Sequence, residues 1–172
     1  IHVDFLLKLI HGERKPAGAF EGYAKLLEDV EKARGSLSPD AMEALDAAVR
    51  TLRDTLEARG LQPVIAHGDF APWNLRVRDD ALFAFDWEYG SMETIPMVDV
   101  LHFIVQTGFL LEGWTAARAH GNLPAVLRIR EVTSYRERLA LSDEDVYGTI
   151  LFYLVEQVTR SCAATEGEAH RV

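Results

Sequence analysis

The chain has 172 residues, 48% of them hydrophobic, and a formal net charge of -9, enough for one good-sized core and not for two independent ones. The acidic balance, with no block of consecutive Lys and Arg, argues against nucleic acid and anionic membrane surfaces as partners. It favours cationic small molecules or serves solubility alone. The single cysteine, Cys162, makes neither an intrachain disulfide nor a metal-binding pair, which fits a reducing, cytoplasmic compartment.

The opening residue is Ile1 rather than Met, which predicts a piece of a longer polypeptide. The apolar run Phe5 to Ile10, with Asp4 beside it and Lys8 within it, is too short and too interrupted to span a bilayer. No small-residue cleavage site follows a charged leader, so the chain reads as soluble, with no membrane partner. From Phe20 to Ala33, the apolar residues Phe20, Tyr23, Leu26, Leu27 and Val30 recur at helical intervals and predict one helix. Gly35 and Ser36 break that pattern. Ser38 and Pro39 then offer a cap and a first turn for a second helix, which runs to about Arg59 and is ended by Gly60.

Pro63 to Ala66 is a short β-prone approach to His67-Gly68-Asp69. Leu75 and Val77 alternate with polar neighbours up to the turn at Asp79-Asp80, and Ala81 to Phe85 returns as a strand, so this stretch predicts short strands and a hairpin. After a Gly90-Ser91 loop, Met97 to about Leu111 is apolar nearly all round and predicts a buried helix at the centre of the core. Two further helical stretches follow, Leu123 to Leu139 and Asp143 to Ala164. The second is opened by Ser142 with Asp145 three residues on, an approximate capping box.

Chemistry concentrates in His67-Gly68-Asp69-Phe70-Ala71-Pro72-Trp73-Asn74, followed by Asp86-Trp87-Glu88 at the end of an apolar strand. Phosphoryl transfer needs a carboxylate to take the proton of an attacking hydroxyl and oxygen ligands to hold magnesium on the phosphates. A short loop from Asp69 lets Asn74 fold back beside it, and the hairpin returns Asp86 to the same end of the strands. Asp69 then faces the hydroxyl, while Asn74 and Asp86 offer oxygens to the metal.

The pattern His67-Gly-Asp-x-x-Pro-x-Asn74 with Asp86-Trp-Glu resembles the catalytic signature of the aminoglycoside phosphotransferase and choline kinase superfamily, over roughly residues 64–103. That resemblance implies an α+β, mainly helical fold: the C-terminal lobe of a protein-kinase-like enzyme, with a small β-hairpin carrying the catalytic and metal-binding loops. It implies a catalytic Asp69, a magnesium pair in Asn74 and Asp86, and loop support from His67 and Asp99. It also implies ATP as phosphoryl donor and a small-molecule hydroxyl as acceptor. No glycine-rich phosphate loop, strand lysine or partner glutamate precedes the signature, so the N-terminal lobe of the same polypeptide is expected elsewhere, and residues 1–172 are read as a single domain that is inactive alone.

Other residues keep two readings. Asp86 closes an apolar strand, where an acid is costly unless a metal or donors await it; the alternative is a helix cap. Glu88 is either a further support of the metal pair or a solvated loop acid. Trp73 and Trp87 either cage a quaternary ammonium or pack as a hinge. Tyr147, Tyr153 and Glu156 either line a substrate pocket or belong to a solvated face. His2, His11, His102, His120 and His170 show no metal-ligand spacing. Two rivals stand against the kinase: a kinase-like binding or scaffold module, and a metal-dependent phosphohydrolase, which lacks the extra ligands a two-metal site needs.

Overall fold

The computed structural model describes residues 1–169. Seven helices and six short strands follow in the order α1 (His2–Leu7), β1 (Lys15–Pro16), α2 (Glu21–Ala33), α3 (Pro39–Leu52), β2 (Gly60–Leu61), β3 (Val64–Ala66), β4 (Leu75–Arg78), β5 (Ala81–Ala84), β6 (Ser91–Thr94), α4 (Val98–Gln106), α5 (Ala116–Val126), α6 (Arg130–Arg138) and α7 (Asp143–Ala169). The fold is mainly helical with three small antiparallel sheets, β1 with β2, β3 with β6 and β4 with β5.

Local rules account for most helices. On α2, Tyr23, Leu26 and Val30 recur on one face and are buried, with Phe20 just ahead of them. At the start of α3, Ser38 Oγ accepts the Ala41 N–H at 3.3 Å and Pro39 occupies the first turn. A wider turn over Arg53–Glu57 carries α3 onward to the approach to Gly60. Gly22 lets α2 lie against β6, because a Cβ there would sit 2.4 Å from Thr94 Oγ1.

The central helix is α7, which packs on α2, α3 and α4. The run from Met97 to Leu111 does not hold that place. Its first half is α4, with Val98 to His102 buried, but its second half opens into a wider turn in which Leu110 and Leu111 are 64% and 65% exposed. Uninterrupted apolar composition gave no sign of where one face ends. On α7, by contrast, the buried residues Val146, Thr149, Phe152, Tyr153 and Val155 follow helical spacing among exposed ones.

Three further differences concern boundaries. The stretch from Leu123 to Leu139 is the end of α5 and a separate α6, broken at Leu127–Ile129. Ser91 belongs to a strand, β6, whose Thr94 and Ser91 oppose Val64 and Ala66 of β3. The opening residues form α1 and then run along β3, where Leu9 C=O accepts the Ile65 N–H at 2.8 Å. Among the described residues, no helix is long and apolar enough to cross a membrane.

The β4–β5 hairpin has the register Leu75↔Ala84, Arg76↔Phe83, Val77↔Leu82 and Arg78↔Ala81. Asp79 and Asp80 both have positive φ, 49° and 60°, the backbone of a two-residue turn whose twist matches the strands. Asp tolerates that region better than most residues.

Candidate active site

The loop between β3 and β4 carries His67, Asp69 and Asn74, and its shape follows from Gly68. That residue has φ +79°, and a Cβ on it would lie 2.2 Å from the Tyr89 carbonyl oxygen. The glycine therefore supplies both the left-handed turn and the close approach of the segment after β5.

Beneath the loop lies α4. Asp99 is buried and spends both oxygens on the loop backbone, Oδ2 accepting the His67 N–H at 2.7 Å and Oδ1 the Gly68 N–H at 2.9 Å. Burial raises its pKa to about 6, against the two amides, which favour the charged form. Three residues on and on the same helix face, His102 places Nε2 2.8 Å from Asp69 Oδ1. One face of α4 thus touches three consecutive loop residues, two through their amides and the third through its carboxylate.

Asn74 completes the cradle, its Nδ2 donating to the Asp69 carbonyl at 3.0 Å and to Asp69 Oδ2 at 2.8 Å. Because the amide nitrogen serves Asp69, the amide oxygen of Asn74 remains available as an acceptor or ligand. The main chain of Asn74 also starts the hairpin ladder, its carbonyl accepting the Phe85 N–H at 2.9 Å, which puts Asp86 one residue beyond that pairing. His67 ties the same places together: its Nε2 donates to the Phe85 carbonyl at 2.7 Å, while its Nδ1 accepts the Asp69 N–H at 3.2 Å. Both bonds are made at once by the neutral Nε2–H tautomer.

Asp86 has φ +64°, in the left-handed region that few residues other than glycine, Asn and Asp adopt. It is exposed. The expectation of a costly acid waiting at a buried strand end does not hold, since water solvates this carboxylate. The strained backbone and the nearness of the hairpin's end to Asn74 distinguish the position instead. Glu88 is exposed as well and borders a cleft described below.

The two tryptophans differ. Trp87 lays its ring 4.7 Å from that of His67 and donates its indole N–H to the Ala84 carbonyl at 2.9 Å. Trp73 is 42% exposed and, among the described residues, makes no ring contact. Tyr147 lies exposed on α7, away from the cleft, whereas Tyr153 and Glu156 line it. His170 lies outside the described residues.

A cleft of about 590 Å³ opens between α2, β6 and α7 and reaches the loop at Gly68 and α4 at His102; Lys25, Met92, Glu156 and Arg160 are among its walls. Arg160 donates to the Gly68 carbonyl at 2.6 Å and to Glu156 at 3.1 Å, and its guanidinium lies 5.2 Å over the Tyr89 ring. Burial raises the Glu156 pKa, with Arg160 opposing. Lys25 and Lys32 pair with Asp29, so the cationic side chains on the walls are all paired, while Glu21 and Glu88 add negative charge.

Sequence reasoning missed His102 and Arg160. The histidine had one local signal, its three-residue spacing from Asp99. The arginine had none, because its loop partner lies on a different part of the chain.

The comparison with known families gives this helical scaffold, with its hairpin and held carboxylate, a place. The model of the phosphotransferase enzyme family matches residues 5–138, and the chain belongs to that family, within the aminoglycoside phosphotransferase and choline kinase superfamily. No curated protein and no solved structure matches the chain.

The family implies magnesium, and the donors present suit it. Asn74 has a carbonyl oxygen not used by Asp69, and Asp86 is a solvated carboxylate, both hard oxygen ligands. Among the described residues, no group of three or more His, Cys, Asp and Glu side chains gathers to hold a metal.

Proposed function

We propose that this chain is the catalytic lobe of a small-molecule kinase, transferring the terminal phosphoryl group of ATP to a hydroxyl of its acceptor. The observation that carries this reading is the Asp69 carboxylate, fixed by Asn74 on one oxygen and His102 on the other and set beside the loop wall of the cleft. Asp69 takes the acceptor hydroxyl's proton as the oxygen attacks phosphorus. Asn74 and Asp86 hold magnesium, which when bound neutralises the phosphate charge.

The remaining residues support that centre. His67 and Asp99 hold the loop, and Trp87 packs over His67. Glu156 and Glu88, which line the cleft, belong to the acceptor side. The unpaired acids on the cleft favour a cationic acceptor, aminoglycoside-like or choline-like. The phosphate-binding loop and lysine belong to an N-terminal lobe of the same polypeptide, which completes the enzyme in the cytoplasm.

The test is magnesium-dependent nucleotide binding, measured by calorimetry on this chain and on the full-length gene product, each as wild type and Asp86→Ala. Binding only in the full-length wild type is the expected result. Binding in neither wild-type protein would replace the kinase by a kinase-like scaffold.

A further inference from the structure

We propose that His102 is the positioning residue of the Asp69 base: an uncharged imidazole that donates Nε2–H to Asp69 Oδ1 and is itself backed by the Tyr153 hydroxyl. The inference rests on the phosphotransfer reading of Asp69 and adds a residue to it.

The tautomer follows from the neighbours. His102 Nε2 faces a carboxylate oxygen at 2.8 Å, so that nitrogen carries the hydrogen. Nδ1 is then the acceptor, and the Tyr153 hydroxyl stands 3.4 Å from it, a long bond inside a buried setting. The opposite tautomer would set two acceptors against each other at Asp69. The titratable and charged groups facing the ring are Asp69 and His67 from the loop and Tyr153 and Arg160 from α7. Burial holds the His102 pKa below that of an ordinary histidine, and Arg160 works in the same direction, while Asp69 opposes them. The net effect favours the uncharged ring.

The choice of donor matters chemically. A carboxylate on a loop rotates about its side-chain bonds unless both oxygens are engaged, and misplacement by about 1 Å costs on the order of 100-fold in rate. Asn74 and His102 engage one oxygen each, and both are uncharged. A cation at the position of His102 would fix the carboxylate equally well but would depress its basicity. The nearby cation, Arg160, is turned to the Gly68 carbonyl and Glu156. Tyr153 and Arg160 lie on α7, beyond residues 5–138 matched by the family model.

The experiment uses the full-length protein. Ring-nitrogen NMR on wild type should show His102 protonated at Nε2 and bare at Nδ1 near pH 7.5, with Asp69→Asn moving the Nε2–H signal and Tyr153→Phe moving Nδ1. His102→Leu should lower kcat by about 100-fold with KM for both substrates unchanged, and His102→Gln, which can place an amide donor near Nε2, should restore most of it. Tyr153→Phe should lower kcat several-fold and serves if His102→Leu does not fold. An Nδ1–H tautomer, an unchanged kcat in both Leu and Phe variants, or an equal loss in Leu and Gln would each overturn the proposal. Wild type that shows the Nε2–H tautomer but no turnover would sink the phosphotransfer reading, and the positioning role given to His102 with it.

Discussion

Asn74 closes a ring on Asp69, five residues earlier, by donating to that residue's main-chain carbonyl and to its carboxylate with one amide nitrogen. Asn74→Ala removes both bonds at a partly solvated position, so the cost in stability is about 1 kcal/mol. If the proposed function holds, turnover should fall about 100-fold or more, because the base would lose its orientation and magnesium a ligand. Asn74→Asp should be no better, since it sets a second carboxylate against Asp69. Paired melting curves and steady-state rates separate the two effects.

Gly68→Ala should destabilise the fold by about 1–3 kcal/mol from backbone conformation alone, and the Tyr89 carbonyl must also move away from the new methyl group. Urea denaturation reads the loss. A variant as stable as wild type would mean that the segment after β5 does not press on the loop as described.

Asp99 gives a pH signature. Its folded pKa is raised to about 6 by burial, above the ordinary carboxylate range near 4. Between those values the folded protein holds a proton that the unfolded chain releases, so stability falls as pH rises from about 4 to 6 and is flat above. The size is on the order of 2–3 kcal/mol. Asp99→Asn removes that slope but leaves a loop amide facing an NH₂ group, so it is the less stable protein, by a margin widest near pH 4. Denaturation midpoints of both proteins across pH 4–7.5 check the sign.

Asp145 has the opposite linkage. Burial works to raise its pKa, but the Arg59 guanidinium at 2.7 Å and the Ser142 amide and hydroxyl at 2.9 and 2.8 Å outweigh it and hold the pKa below normal. Its contribution is therefore present above about pH 4 and lost as pH falls below that value. Asp145→Ala should cost about 1–3 kcal/mol at pH 7 through the lost cap and ion pair, and the gap to wild type should close in acid. Thermal melts at pH 7 and pH 3 provide the comparison.

What could be read beforehand divides by the range of the interaction. Ser38 and Ser142 announce their caps because both partners lie within one turn, and the Asp79-Asp80 hairpin turn is a local matter of backbone twist. The contact of Asn74 with Asp69 was legible as a dense run with a fixed spacing. Pairing of β3 with β6 was not, because β6 is short and its Ser-Met-Glu-Thr sequence has no strong strand character. Nor was the contact of His102 with Asp69, 33 positions apart, since only the packing of α4 under the loop creates it. The exposed setting of Asp86 was misjudged for a related reason: apolar Phe83 and Phe85 suggested an interior strand, but both are about half exposed.

The bond from Arg160 to the Gly68 carbonyl spans 92 positions of chain, and that span orders events during biosynthesis. The loop and hairpin leave the ribosome well before α7 is made, and contacts of such long separation form late because loop closure must precede them. Until α7 docks, the loop is held by Asp99, His102 and Asn74, without the Arg160 bond to the Gly68 carbonyl. The loop therefore reaches its full set of contacts only once α7 has packed against it.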